Sequence, residues 1–186
     1  MLKYHLRSLL IRITLLGLLV LGSCFDGEVK TLYKIPAGEH YSLPREVTYI
    51  DHNPFTFYAC FDETATYCPT EDINKLLGFT DCNSTVHEDS ARFGWRWWNG
   101  RLEVFAYVYA NGERDFQIIG SVPLRLWVKF QIKLDDNSYI FRIEPIGEIS
   151  MRRTNNCNRG VYLQLNPYFG GDGVCDRDIF IGIKTF

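Results

Sequence analysis

The stretch Ser90-Ala91-Arg92-Phe93-Gly94-Trp95-Arg96-Trp97-Trp98-Asn99-Gly100-Arg101-Leu102-Glu103-Val104-Phe105-Ala106-Tyr107-Val108-Tyr109-Ala110 decides the fold. Asn and Gly both tolerate the positive φ of a type I′ turn, so Asn99-Gly100 joins two antiparallel strands and fixes their register. Trp98 then faces Arg101, Trp97 faces Leu102, Arg96 faces Glu103 and Trp95 faces Val104. Alternation sends Phe93, Trp95, Trp97, Leu102, Val104, Ala106 and Val108 to one side, which reads as core. The other side collects Arg92, Arg96, Trp98, Arg101, Glu103, Phe105, Tyr107 and Tyr109, a mixture of charges and amphipathic rings that faces solvent or a ligand.

Downstream, a second Asn-Gly pair, Asn111-Gly112, starts another strand. A two-residue loop there sets Asp115 and Gln117 opposite core residues Val108 and Ala106, and unpaired polar groups are disfavoured in a core. A three-residue loop with Gly112 in a bulge is therefore expected, putting Phe116 and Ile118 inward and Gln117 with the rings. Leu124 to Lys133 alternates, with Leu124, Leu126, Val128, Phe130 and Ile132 inward. Asp135-Asp136-Asn137 turns the chain into a strand carrying Tyr139, Phe141 and Ile143 on one face. Val161–Leu165 and Ile179–Ile183 read as two more strands. The one helix expected is a turn or two over Asp72–Leu77, capped by Thr70. Strands at this spacing, bounded by Gly, Pro, Asn and Asp, predict an all-β fold, an antiparallel two-sheet β-sandwich with little helix apart from a signal peptide.

The first 23 residues carry that signal pattern: a basic start at Lys3, Arg7 and Arg12, an apolar run over Ile13–Leu21, then Gly22 and Ser23. Leu21-Gly22-Ser23-Cys24 resembles the bacterial lipobox, which implies thioether attachment of diacylglycerol at Cys24 and a third acyl chain on its freed amine. Two or more chains hold a protein stably at a bilayer. The expected arrangement is a lipoprotein signal peptide over 1–23, a lipid-anchored tether over 24–30 and a single sandwich domain over 31–186, exported and held at an outer membrane or cell surface. The whole chain has 20 basic and 22 acidic side chains; without Lys3, Arg7 and Arg12, residues 24–186 carry 17 against 22, a net charge of −5. That balance gives no electrostatic reason to expect nucleic acid as a partner.

Cys60, Cys68, Cys82, Cys157 and Cys175 remain besides Cys24. In an oxidising compartment they predict two disulfides and a spare thiol, with about fifteen ways to choose the pairs. Cys157 and Cys175, which flank one strand and its turn, are the preferred pair. Asp172, Asp176 and Asp178, close to three glycines, supply oxygen ligands suited to calcium, but the loop lacks a full calcium-binding spacing. Solvated loop acids are the expectation, with no resident metal or other cofactor.

The ring-and-cation face carries the functional expectation. Sugar C–H faces stack on aromatic rings, and acidic sugars offer carboxylates to Arg, so Arg92, Arg96, Trp98, Arg101, Glu103, Phe105, Tyr107, Tyr109 and Gln117 form a candidate glycan-binding surface. Two plainer outcomes compete with it: a loop such as Ser150–Arg159 covering the rings, and Arg96 with Glu103 as an ordinary cross-strand pair.

Ser90-Ala91-Arg92-Phe93-Gly94-Trp95-Arg96, Phe105-Ala106-Tyr107-Val108-Tyr109-Ala110-Asn111-Gly112 and Pro167-Tyr168-Phe169-Gly170-Gly171-Asp172 resemble uncharacterised secreted proteins of Bacteroidetes-like bacteria, over roughly residues 70–186. The Gly-Gly loop leading into a final Ile-x-Ile strand also looks like the close of concanavalin A-like jelly rolls, whose concave sheet face is where glycans lie. That placement suits the surface named above, and the resemblance implies no activity by itself; the expectation is a non-catalytic carbohydrate-binding or surface-interaction module. Lyases of that fold use a neutralising Arg or Gln, a His and a Tyr, for which His87, Arg92, Arg96, Gln117 and Tyr168 are available. The lyase motifs Arg-x-Glu-x-Arg, Gln-Ile-His and Tyr-x-Lys and the glycosidase run Glu-x-Asp-x-x-Glu are all absent from this sequence. A structural or protein-binding lipoprotein, with a surface protein as partner, is the alternative to glycan binding.

Overall fold

The computed structural model describes residues 31–157 and 159–186. The signal peptide, the tether and the lipidation site at Cys24 lie outside the described residues.

Among the described residues, eleven strands make two antiparallel sheets. One sheet has six strands in the order β1 (Thr31–Ile35), β11 (Ile179–Thr185), β2 (Phe55–Phe61), β7 (Val128–Asp135), β8 (Ser138–Glu144) and β9 (Gly147–Arg152). The other has five in the order β10 (Gln164–Leu165), β3 (Asn74–Thr80), β4 (Ser90–Trp98), β5 (Arg101–Ala110) and β6 (Glu113–Val122). The core fills the space between them. Phe57 and Phe130 stack with centroids 5.3 Å apart, Phe93 meets Phe130 edge-on at 4.9 Å, and Trp95 tilts against Phe61 at 5.3 Å. Such contacts add to the stabilisation from area burial.

The central hairpin has the register its turn dictates, from Trp98 opposite Arg101 to Ser90 opposite Tyr109. Phe93, Trp95, Leu102, Val104, Ala106 and Val108 are buried and Trp97 packs against the same cluster. Tyr139, Phe141 and Ile143 are buried on one face of β8, and Ile179, Ile181 and Ile183 on one face of β11.

Several expectations are corrected. The Asp72–Leu77 segment is not helical: Asn74 onward is β3, because Leu76, Leu77 and Phe79 are buried against the opposite sheet while the backbone pairs with β4. Thr70 Oγ1 accepts from Asp72 N at 3.0 Å, closing a local turn without a helix to follow. The helical turn that does form is a short 3₁₀ segment over Glu63–Thr66, capped by Asp62. The β7 strand begins at Val128, since Arg125 has a φ of 61° and Leu126 lies in a turn, exposed. Pairing in Val161–Leu165 is limited to the two residues of β10 and a bridge from Leu163 to Tyr49.

The β5–β6 loop is also different from expectation. Asn111 and Gly112 both have positive φ, 55° and 81°, and Ala110 pairs with Glu113 across a two-residue loop. Asp115 and Gln117 therefore lie opposite Val108 and Ala106, and Arg114, Phe116 and Ile118 join the ring face opposite Tyr109, Tyr107 and Phe105. The anticipated burial of Asp115 and Gln117 does not follow, because β6 is an edge strand and both residues are exposed.

Disulfides join Cys68 to Cys175 and Cys82 to Cys157, so the Cys157–Cys175 pair is wrong. The partners lie 107 and 75 residues apart in sequence, and spacing along the chain carries no trace of such contacts. No described cysteine is a free thiol; Cys60 too is disulfide-bonded. No helix among the described residues is long and apolar enough to cross a membrane.

Candidate functional site

The ring face of β4 and β5 divides into two chemically unlike ends. At the hairpin end, Arg96 Nε donates to Glu103 Oε2 at 2.8 Å and Arg101 Nη2 lies 2.9 Å from Oε1. Arg96 Nη1 also donates to the Glu71 carbonyl at 2.7 Å, while its guanidinium lies 5.2 Å from the Phe105 ring and 5.7 Å from that of Trp98. Burial by itself raises the pKa of Glu103, but the hydrogen bonds and charges of Arg96 and Arg101 outweigh it and hold the carboxyl below its ordinary value. Glu103 is thus a neutralised acid, and both arginines already have an anion. Phe105 is buried, under Ile73 and against Phe116.

At the other end the cations have no such partner. Arg92 is only 8% exposed, yet it forms no salt bridge with a described carboxylate. Its Nη2 donates to the Asn166 carbonyl at 2.6 Å and to the Leu76 carbonyl at 3.4 Å, and its Nε has no acceptor. Burial pushes the guanidinium pKa down to about 10. Lys75 stands beside it, with Nζ donating to the Ile73 carbonyl at 2.7 Å and lying 4.9 Å from the Tyr107 ring centroid. Burial first, then the charges of Arg92 and Arg114, lower its pKa to about 8. Burial and a hydrogen bond with Tyr109 push the Tyr107 phenol up to about 12, so it remains protonated at neutral pH.

Local sequence explains this placement. The β3–β4 register shifts between Lys75 and Gly78, giving β3 one residue more than β4 across the same span. A bulge of this kind inverts side-chain alternation. Lys75, rather than Leu76, consequently lies opposite Gly94 on the ring face, while Leu76 and Leu77 are both buried. Gly78 faces Arg92, and a β-carbon there would collide with the Ala91 carbonyl and Arg92 Cα. Only glycine lets the two strands approach so closely.

These groups line a cleft of about 400 Å³. Its far wall is a strap that includes Tyr41, Ser42 and Arg45; Tyr41 packs edge-on against Tyr168 at 5.2 Å and the Arg45 guanidinium lies 4.6 Å from the Tyr41 ring. Ser42 Oγ, buried at 2% exposure, is a second polar atom on this wall without a partner. His87 meets Tyr109 edge-on at 5.2 Å and closes the near side. A slightly larger hollow, about 440 Å³, lies elsewhere among Phe55, Phe79, Ile132 and Tyr162. Its buried cation, Arg153, is saturated by Asp81 at 2.7 and 3.0 Å, so it offers a ligand no uncompensated charge. The cleft over Arg92 is therefore the better candidate.

Of the residues named from sequence, His87, Arg92, Tyr107, Tyr109 and Tyr168 line this cleft. Arg96, Arg101 and Glu103 form the ion-pair network beyond it, with Trp98 against Arg96. Gln117 does not join the rings; it is exposed on the opposite face. The Ser150–Arg159 segment does not cover the rings, since its first residues belong to β9 in the other sheet and Arg153 is anchored on Asp81. Lys75 and the strap residues were missed, because a β-bulge and a crossing loop leave no periodic signal. The calcium acids do not converge: Asp178 pairs with Lys34 at 2.7 Å. Among the described residues the one group of three potential metal ligands within reach of one another is Cys68, Cys175 and Asp176, and the two sulfurs are already joined.

An antiparallel jelly-roll sandwich with a cationic, aromatic cleft on one sheet face is the class of protein these features define. Solved structures share the fold. The chain is similar to alginate lyase vAL-1 from Chlorella virus, with 11% identity over 87% of this chain and 89% of that one and a TM-score of 0.52. Alginate lyase AlyC3 matches with 9% identity over 83% and 72% of the two chains and a TM-score of 0.59. LamAcat from Zobellia galactanivorans matches with 8% identity over 73% and 63% and a TM-score of 0.50. At such identities the likeness is one of fold. No protein-family model matches the sequence, and no curated protein matches it.

Proposed function

We propose that this chain is an exported β-sandwich protein that binds an acidic polysaccharide in the cleft over Arg92 and Lys75. The observation that carries this reading is the pair of desolvated cations that form no salt bridge with a described carboxylate, Asp72 acting on Lys75 only from a distance, beside two buried polar atoms, Arg92 Nε and Ser42 Oγ, that lack partners. Buried charge without compensation is strongly disfavoured. A uronate carboxylate compensates both cations at once, and the surrounding tyrosines offer faces for sugar C–H stacking. Fold neighbours that are alginate lyases agree with an acidic glycan as the ligand class.

Calorimetric titration with alginate, polygalacturonate and a neutral β-glucan tests the reading. Binding of at least one polyuronate, no binding of the neutral glucan, and loss of binding in Arg92→Met are expected. Binding of neutral and acidic polymers alike, or an unaffected Arg92→Met, would remove the proposed site.

A second reading, lyase activity, is favoured by Lys75. An amine with a pKa near 8 is partly neutral around neutral pH and suited to accept the proton α to a carboxylate whose charge Arg92 offsets. The leaving sugar oxygen then departs as the C–C double bond forms, so growth of unsaturated-uronate absorbance is the assay. Absence of that absorbance in a protein that binds the polymer leaves the binding reading alone.

A further inference from the structure

The two-residue Asn111-Gly112 loop extends the ring face onto the edge strand β6. Phe116 and Ile118 are 44% and 48% exposed there, an unusual display for an edge strand, which natural sheets tend to blunt with charge. The Phe116 ring lies nearly parallel to Tyr107, at 9° with centroids 6.2 Å apart, and the Arg114 guanidinium sits 5.9 Å from Phe116. Arg114 forms no salt bridge with a carboxylate among the described residues, and it is near enough for its charge to lower the basicity of Lys75. A shallow hollow of about 150 Å³ reaches from Lys75 and Tyr107, which also wall the main cleft, to Arg114 and Phe116; three cations, Lys75, Arg96 and Arg114, line it against two acids, Glu71 and Asp72. The two depressions are neighbours with Lys75 and Tyr107 as shared walls, and together they cross the sheet from β3 to β6, whose backbones stand about 14 Å apart at three strand spacings.

We infer that Arg114 and Phe116 form a second anionic subsite, which takes a neighbouring charged sugar of the same polymer chain. The ligand is then a glycan carrying carboxylates on closely spaced residues, bound as an internal segment, with Phe116 stacking on one sugar face and Arg114 holding that sugar's carboxylate. This rests on the Arg92–Lys75 cleft being the primary subsite. A second copy of the chain is the other occupant that an exposed Phe-Ile edge invites, and the test separates the two.

The experiment titrates oligouronates of one to six residues, prepared from alginate and from polygalacturonate, into wild type, Arg114→Gln and Phe116→Ala, with sedimentation of each protein alongside. Both substitutions are at exposed edge positions, and thermal melts check that folding is retained. Wild type is expected to bind a tetramer at least about tenfold more tightly than a monomer, and each variant to lose about tenfold on the tetramer while keeping its monomer affinity. Equal affinity at all lengths, or variants that bind the tetramer as wild type does, overturns the subsite and leaves the primary cleft standing. A wild-type dimer that Phe116→Ala dissociates without altering glycan affinity assigns the patch to self-association instead, which also overturns the inference. If wild type binds no oligouronate of any length, the primary reading itself fails.

Discussion

Replacing Lys75 by Met is expected to make the protein more stable at acidic and neutral pH while weakening its hold on an anion. The ammonium's pKa falls from 10.5 to about 8 in the folded protein, and at about 1.4 kcal/mol for each tenfold this opposes the charged form by roughly 3 kcal/mol. The side chain keeps some contact with solvent, which trims the figure to about 2 kcal/mol. Methionine fills similar space but forfeits the hydrogen bond to the Ile73 carbonyl, about 1 kcal/mol. A net gain of roughly 1 kcal/mol follows, or a Tm higher by about 2–4 °C in a chain of this size. The pH dependence gives the sharper signature. Below pH 8 Lys75 is charged both folded and unfolded, so wild type bears the full penalty. Between 8 and 10.5 the folded protein releases the proton that the unfolded chain still holds. The unfolded state then binds more protons, and wild-type stability rises with pH relative to the variant. Paired urea denaturation at about pH 6 and about pH 9.5 should show the variant's advantage shrinking and then reversing. A variant less stable than wild type at pH 6, by an amount that does not change with pH, would show Lys75 to be an ordinary structural donor and refute the reasoning.

Affinity of the wild-type cleft for a polyuronate should fall as pH rises through about 8, where Lys75 loses its charge, while Arg92 stays protonated until about 10; calorimetry across that range checks this, and a flat profile excludes contact with Lys75. Asp81→Asn strips the buried Arg153 of its carboxylate and weakens the acceptor of Tyr139 Oη, at 2.6 Å; a loss of about 3–5 kcal/mol in urea unfolding is expected, and less than about 1 kcal/mol would mean the network is not a unit.

The hairpin was legible because Asn99-Gly100 fixes a register and each side of the ribbon is uniform in polarity, so local chemistry and tertiary burial agree. At Asn111-Gly112 the turn chemistry was equally plain, yet the burial argument pointed to the wrong loop. It assumed that residues opposite Val108 and Ala106 must be covered, whereas coverage depends on how far the facing sheet extends, and at the edge strand Asp115 and Gln117 are exposed. Lys75 was hidden by the β3 bulge: in Asn74-Lys75-Leu76-Leu77-Gly78-Phe79 the alternation breaks at one residue, and the Leu pair reads as well on a helix. The strap wall and the disulfides depend on contacts between distant parts of the chain and could not be read locally.

Residue type alone did not locate the cleft, because both ends of the ring face display guanidinium and aromatic groups. The difference is in the ionic pairing. Glu103, buried at the hairpin end, satisfies Arg96 and Arg101 together, so an incoming carboxylate there must displace a well-placed one. Arg92 and Lys75 have backbone carbonyls instead, which hold a cation in position without neutralising it. Position without salt-bridge neutralisation is what an anion site requires: the donors are fixed before the ligand arrives, and little ordering remains to be done on binding. Gly78 lets β3 close over Arg92 and the bulge turns Lys75 outward, so two irregularities in one short strand set both cations. The same bulge buries Leu76 and Leu77 side by side in the core, so one irregularity serves packing on the inner face and sets a cation on the outer one.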